Sequence, residues 1–219
     1  MINTLRDYIS RSLPEYGDFA TNPNLMKKVD GEGKMLPFFG NTAVFLPDAD
    51  AKACLALVRD GLYRAAEDML AEPLLADTFH LTLHDLANGT AEDRTLYDRM
   101  RSAEVRARNV LADLASVGEI RLRATMTFNM VNTSVVLGFE PQDEESLYRL
   151  DKMYCALEAV VPLGYAMTPH ITLAYYRPGV YGADAVARLR SALGEVSLAL
   201  TLSDPVLQVF GSMNQYQTI

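Results

Sequence analysis

The sequence predicts an α+β protein built on a duplicated strand–helix–strand unit, with its halves related by a pseudo-twofold. Three observations carry this. Stretches that alternate with period two are interleaved with stretches of helical periodicity. "TAVFLP", a helix and "FHLTL" are echoed by "SVVLGFEP", a helix and "PHITL". The spacing also repeats: Val44 precedes His80 by 36 residues, and Val136 precedes His170 by 34.

The elements follow in order. Residues 1–40 are polar and punctuated by "NPN", "DGEGK" and "LPFFG", and read as one short helix over about 3–12 and then irregular chain. "TAVFLP" is an apolar strand ended by Pro47. "DADAKACLALVRDGLYRAAEDML" opens on an aspartate cap and repeats helically through Cys54, Leu57, Leu62 and Ala66. "DTFHLTLHDL" alternates as a strand. The next helix runs from a Thr90 cap to a Gly118 stop. In "EIRLRATMTFN", Ile120, Leu122, Ala124, Met126 and Phe128 share one face, and Arg121, Arg123, Thr125, Thr127 and Asn129 the other. After "TSVVLGFEP", a helix ends before Pro162. "MTPHITLAYY" is a strand, "ADAVARLRSALGE" a helix, and "VSLALTLSD" and "VLQVFGSM" the last two strands.

A length of 219 residues suits one domain of two lobes. Residues 1–40 are expected to be an N-terminal extension and 41–219 a single two-lobed domain. Lys and Arg total 20 against 28 for Asp and Glu, a formal net charge of -8. That excess opposes broad binding to long nucleic acid or an anionic membrane, yet leaves room for one phosphate in a locally basic pocket. Cys54 and Cys155 lie in amphipathic helical stretches and read as buried free thiols of a reducing compartment. The charged N-terminus lacks a signal-peptide core, and no run reaches a membrane span, so the expectation is a soluble cytoplasmic protein.

Chemistry concentrates in the histidines. The chain has three, and two of them sit in matching His-x-Thr-Leu settings. On a strand, residues two apart share a face, so His80 and Thr82 present an imidazole and a hydroxyl together, as do His170 and Thr172. Leu81, Leu83, Ile171 and Leu173 point the other way, into a core. An imidazole serves as general base or acid near neutral pH, and a threonine hydroxyl donates to an anionic oxygen. With one histidine from each lobe facing a phosphorus, one activates water and the other protonates the leaving oxygen. This chemistry needs no metal and no cofactor. The competing reading is a zinc site on His80 and His84. Their spacing of four chelates on a helix but spans about 13 Å on a strand. His84 otherwise lines the cleft mouth or is an exposed strand end. Arg121 and Arg123 are candidate phosphate ligands or an exposed sheet face. Tyr176, sharing the parity of His170, is a candidate base-stacking residue or a half-buried sheet tyrosine.

"FHLTL" and "PHITL" resemble the paired His-x-Thr motifs of the two-histidine (2H) phosphoesterase superfamily, the LigT-like proteins, and the likeness spans about residues 40–212. The resemblance implies a bilobal fold of two antiparallel sheets flanked by helices, with both histidines in a central groove. It implies hydrolysis of cyclic phosphodiesters: 2′,3′-cyclic phosphates of nucleotides or RNA ends, or related cyclic phosphates. His80, Thr82, His170 and Thr172 match the motif directly. Tyr175 departs from it, standing where many LigT-like proteins carry a basic residue. The alternatives are a module on the same fold that binds a nucleotide or phosphate without turnover, and a protein–protein scaffold.

Overall fold

The computed structural model describes residues 2–3, 13–114 and 117–219. The helix expected over about 3–12 lies outside them. The main sheet has eight strands: β2 (Phe39–Phe45), β3 (Leu81–Gly89), β4 (Ile120–Met130), β5 (Ser134–Pro141), β6 (His170–Tyr175), β8 (Ala199–Leu202), β9 (Val206–Ser212) and β10 (Gln215–Thr218). Their order is β10-β9-β2-β3-β6-β5-β4-β8, and every neighbouring pair is antiparallel. A small sheet pairs β1 (Phe19–Ala20) with β7 (Val180–Tyr181). Among the described residues, four α-helices complete the fold: α1 (Ala49–Ala66), α2 (Arg94–Leu114), α3 (Glu144–Glu158) and α4 (Ala183–Ala192).

The duplication is visible in the register. Val44 pairs with Thr82 in the first half, and Val136 pairs with Thr172 in the second. Each unit is strand, helix, returning antiparallel strand: β2–α1–β3 and β5–α3–β6. The halves join through one residue pair, Leu81 with Ile171, the middle residues of the two motifs. The repeat axis therefore passes between the two His-x-Thr triplets. Leu81, Leu83, Ile171 and Leu173 are all buried, each at most 1% exposed, and burying each contributes about 1.5–3 kcal/mol.

Local chemistry explains the helix starts. Asp48 accepts from the Ala51 amide and Asp143 from the Ser146 amide, each satisfying a donor the helix cannot. For α2 that service comes from Asp93, which accepts from Leu96 N, rather than from the expected Thr90. On β4 the register shifts between Ala124 and Thr127. Alternation holds before the shift, with Ile120 and Leu122 buried and Arg121 and Arg123 exposed. Beyond it Phe128 packs with Val136 in a separate small cluster, while Thr127 and Asn129 are buried, so the single apolar face expected along this strand is split in two.

The segment before β2 packs into the main core through Leu13, Phe19, Leu25, Val29 and Phe38. It also clasps the β4–β5 turn. Val131 and Asn132 both have positive φ there (45° and 59°), a cost for branched Val131 that a tight hairpin imposes. Asn22 Nδ2 donates to Val131 O, and Asn132 Nδ2 donates to Ala20 O. Cys54 is half-buried and Cys155 exposed, so neither is buried as expected, and no disulfide joins them. Among the described residues, no helix is long and apolar enough to cross a membrane.

Candidate active site

The two motifs meet in one cleft of about 380 Å³, lined by His80, Thr82, His170 and Thr172 from the strand pair at the repeat axis. That size lies within the about 300–1,000 Å³ typical of ligand pockets. Antiparallel register about Leu81–Ile171 sets each motif's histidine toward the other motif's threonine. The four side chains are half-buried, so each is packed in place and still open to the cleft.

Both imidazoles are held alike. His80 Nδ1 lies 2.7 Å from Thr78 O, and His170 Nδ1 lies 2.7 Å from Thr168 O. A carbonyl only accepts, so Nδ1 donates in both rings and each Nε2 keeps its lone pair when the ring is neutral. The clamp has a sequence signature broader than His-x-Thr: Thr-x-His-x-Thr-Leu occurs at Thr78–Leu83 and again at Thr168–Leu173. Burial pushes the His80 imidazole down from its ordinary 6.5 to about 4. The Thr78 carbonyl and the Asp85 carboxylate oppose the shift, while charge on His170 and Lys52 adds to it. Burial likewise lowers His170, with the Thr168 carbonyl and Asp85 opposing and Lys28 adding. Both shifts favour the neutral imidazole in the free cleft.

Strand irregularities decide which further residues reach the cleft. Where β2 pairs with β3 the register shifts between Ala43 and Val44 of β2, so that Val44 faces Thr82 and Ala43 faces His84. Where β5 pairs with β6 the matching shift lies between Val135 and Val136 of β5, so that Val136 faces Thr172 and Val135 faces Ala174. Each shift leaves one extra residue, Leu83 or Leu173, and inverts the parity beyond it. Asp85 and Tyr175 therefore occupy equivalent positions on the cleft wall. Neither was expected there from strict alternation.

The same inversion corrects several expectations. Tyr176 is fully buried; its hydroxyl donates to Asn129 Oδ1 and its ring meets Phe19 edge-on at 5.0 Å, so it stacks no ligand. His84 is buried at 1% exposure rather than forming an exposed strand end. Its Nδ1 donates to Asp85 O and its Nε2 lies 3.2 Å from Glu158 Oε1 at the end of α3, while the residue still forms part of the cleft lining. Arg121 and Arg123 lie on the exposed face of β4, paired with Asp143 at 2.9 Å and Glu140 at 3.3 Å, away from the cleft.

Part of the remaining wall comes from segments outside the repeat. Tyr216, on the unanticipated strand β10, places its ring 4.7 Å from the His80 ring. Phe210 follows at 5.3 Å from Tyr216, and Phe38 stacks on Phe210 at 5.9 Å. From the segment before β2 come Asn24, Lys27 and Lys28.

No family model matches this chain. No curated protein matches it significantly either. Solved structures do match. The chain superposes on a conserved protein of unknown function from Agrobacterium tumefaciens, ATU0111, with TM-score 0.65 and 14% identity, covering 92% of this chain and 93% of that one. It matches E. coli LigT complexed with 3′-AMP with TM-score 0.53 and 14% identity, over 83% and 95% of the two chains. For TT0787 of Thermus thermophilus the TM-score is 0.52 at 18% identity, over 83% and 94%. With its antiparallel halves joined at the two motif strands, this chain has the LigT-like fold.

Proposed function

We propose that this chain is a metal-independent phosphodiesterase that hydrolyses a cyclic phosphodiester, such as the 2′,3′-cyclic phosphate of a nucleotide or a short RNA end. The observation that carries the reading is the paired clamp: two imidazoles, each donating from Nδ1 to the carbonyl two residues back, line one cleft and leave Nε2 for proton transfer. In this reading one Nε2 takes a proton from water as it attacks phosphorus. The other, protonated, hands its proton to the departing ribose oxygen. Thr82 and Thr172 donate to the non-bridging oxygens, whose charge grows in the transition state.

The nucleotide-sized substrate is supported by the cleft volume and by the half-buried Tyr216 ring on the cleft wall, backed by buried Phe210 and Phe38. It is also supported by the fold's occurrence in E. coli LigT, which has been crystallised with 3′-AMP, with ATP and with NADP+. The test is a hydrolysis screen over 2′,3′-cyclic nucleotides in excess chelator, with products identified by chromatography. Turnover in chelator that disappears in His80→Ala and His170→Ala supports the reading. Turnover lost to chelator and restored by zinc or manganese refutes it. Binding without turnover puts the non-catalytic module ahead.

A further inference from the structure

Building on that reading, we propose that Lys28, from the segment before the duplicated core, is a substrate-phosphate ligand on the His170 side of the cleft. Its backbone is anchored on both sides. Lys28 N donates to Leu25 O, closing the short helix Pro23–Lys27, and Leu36 N donates to Lys28 O at 2.8 Å. The half-buried side chain then lies against two rings of the cleft wall, with Nζ 5.0 Å from the Phe38 centroid and 5.6 Å from that of Tyr175.

Those partners leave the cation's chemistry open. A ring face stabilises positive charge but accepts little hydrogen bonding, so the ammonium keeps N–H donors to give. Some cations in this acidic chain meet carboxylates, among them Lys34 with Glu72, Arg121 with Asp143 and Arg188 with Asp68. Among the described residues Lys28 has no such ion pair. Its charge acts on His170, which places it within electrostatic reach of that imidazole.

The charge balance of the cleft calls for a cation. Burial favours neutral imidazoles, the threonines are neutral, and Asp85 acts on both histidines with negative charge. An anionic phosphodiester entering such a cleft in a chain of net charge -8 meets repulsion unless a cation offsets Asp85. Lys27 is exposed at the rim, whereas Lys28 is held against the wall by Phe38 and Tyr175. Tyr175 lies at the position equivalent to Asp85. The pseudo-symmetric cleft thus has an acidic side and a side where an aromatic ring carries a lysine, and the phosphate is drawn toward the second.

The test uses the full chain as wild type, Lys28→Met, Lys28→Gln, Lys28→Arg, Lys27→Met and, as a control remote from the cleft, Lys34→Met. Inorganic phosphate and adenosine 3′-monophosphate are titrated in while the imidazole resonances of His80 and His170 are followed by NMR. KM and kcat are then measured on a cyclic phosphate, with a thermal melt for each variant. The expected result is binding weakened about 10- to 100-fold in Lys28→Met and Lys28→Gln, largely recovered in Lys28→Arg, and unchanged in Lys34→Met. Wild-type affinity in a folded Lys28→Met or Lys28→Gln overturns the proposal. So does a loss that appears in Lys27→Met instead, or one that arginine does not rescue. A wild type that binds phosphate at the histidines but cleaves no cyclic phosphodiester refutes the proposed reaction while these ratios still decide Lys28. Histidine resonances that ignore phosphate altogether sink both.

Discussion

If the two histidines act as acid and base, the pH dependence of the reaction follows from their environment. The reactive form of the free protein carries one proton on the pair. Burial drives His80 to about 4 and lowers His170 below its ordinary 6.5, so both macroscopic titrations of the pair lie under 6.5. One unit above 6.5, at most about a tenth of the molecules hold that proton, and each further unit removes about another factor of ten. A cyclic phosphodiester is a monoanion throughout this range and contributes no titration of its own. The expected profile of kcat/KM, which reports the free protein, is a bell with its maximum below 6.5 and an alkaline limb falling about tenfold per unit. The profile of kcat, which reports the complex, shifts to higher pH because the bound anion favours a charged imidazole. His80→Ala and His170→Ala each abolish the bell and cost about 100-fold or more, and the double variant loses far less than the product of the two. The assay is steady-state hydrolysis of the most active cyclic nucleotide across the pH range. A kcat/KM that stays level from pH 6.5 upward by two units, or near-normal turnover in either folded variant, refutes the acid–base pair.

Other outcomes are equally direct. Thr82→Ala and Thr172→Ala each remove one hydrogen bond to a charged oxygen, about 1.5–3 kcal/mol, read as a loss in kcat/KM with an unchanged melting temperature. Because His80 titrates lower in the folded chain than in the unfolded one, the unfolded chain binds the proton first on acidification. The resulting stability, complete above 6.5, is lost as pH falls toward 4, and urea titrations of His80→Gln show a shallower loss across that window. Gly40→Ala sets a Cβ 2.4 Å from Ala87 O and 2.4 Å from Phe210 Cζ, where β2 crosses close to its neighbours. Because one obstacle is backbone, the expected cost is about 1–3 kcal/mol by urea denaturation, and a neutral result means the sheet yields there.

The chain order alone determined the α+β class, the duplication and the four motif residues. Each rests on local pattern: alternation, helical period and a repeated triplet survive any packing that buries their apolar side. The aspartate cap of α1 was legible for the same reason, since a cap involves residues three apart. What alternation could not reveal was its own interruption. One extra residue at Leu83 and one at Leu173 invert the strand beyond, because pairing with β2 and β5 decides which residue is left over. That inversion buried Tyr176 and His84 and turned Asp85 and Tyr175 to the cleft. The roles considered for Arg121 and Arg123 failed for a related reason: facing was right, but only the strand order shows that β4 lies two strands from β6, which carries His170, and three from β3, which follows His80. Lys28 and Tyr216 were beyond sequence reading because they reach the cleft from segments remote in the chain. Their placement comes from the packing of the leading segment and of β10, long-range contacts that no local pattern encodes.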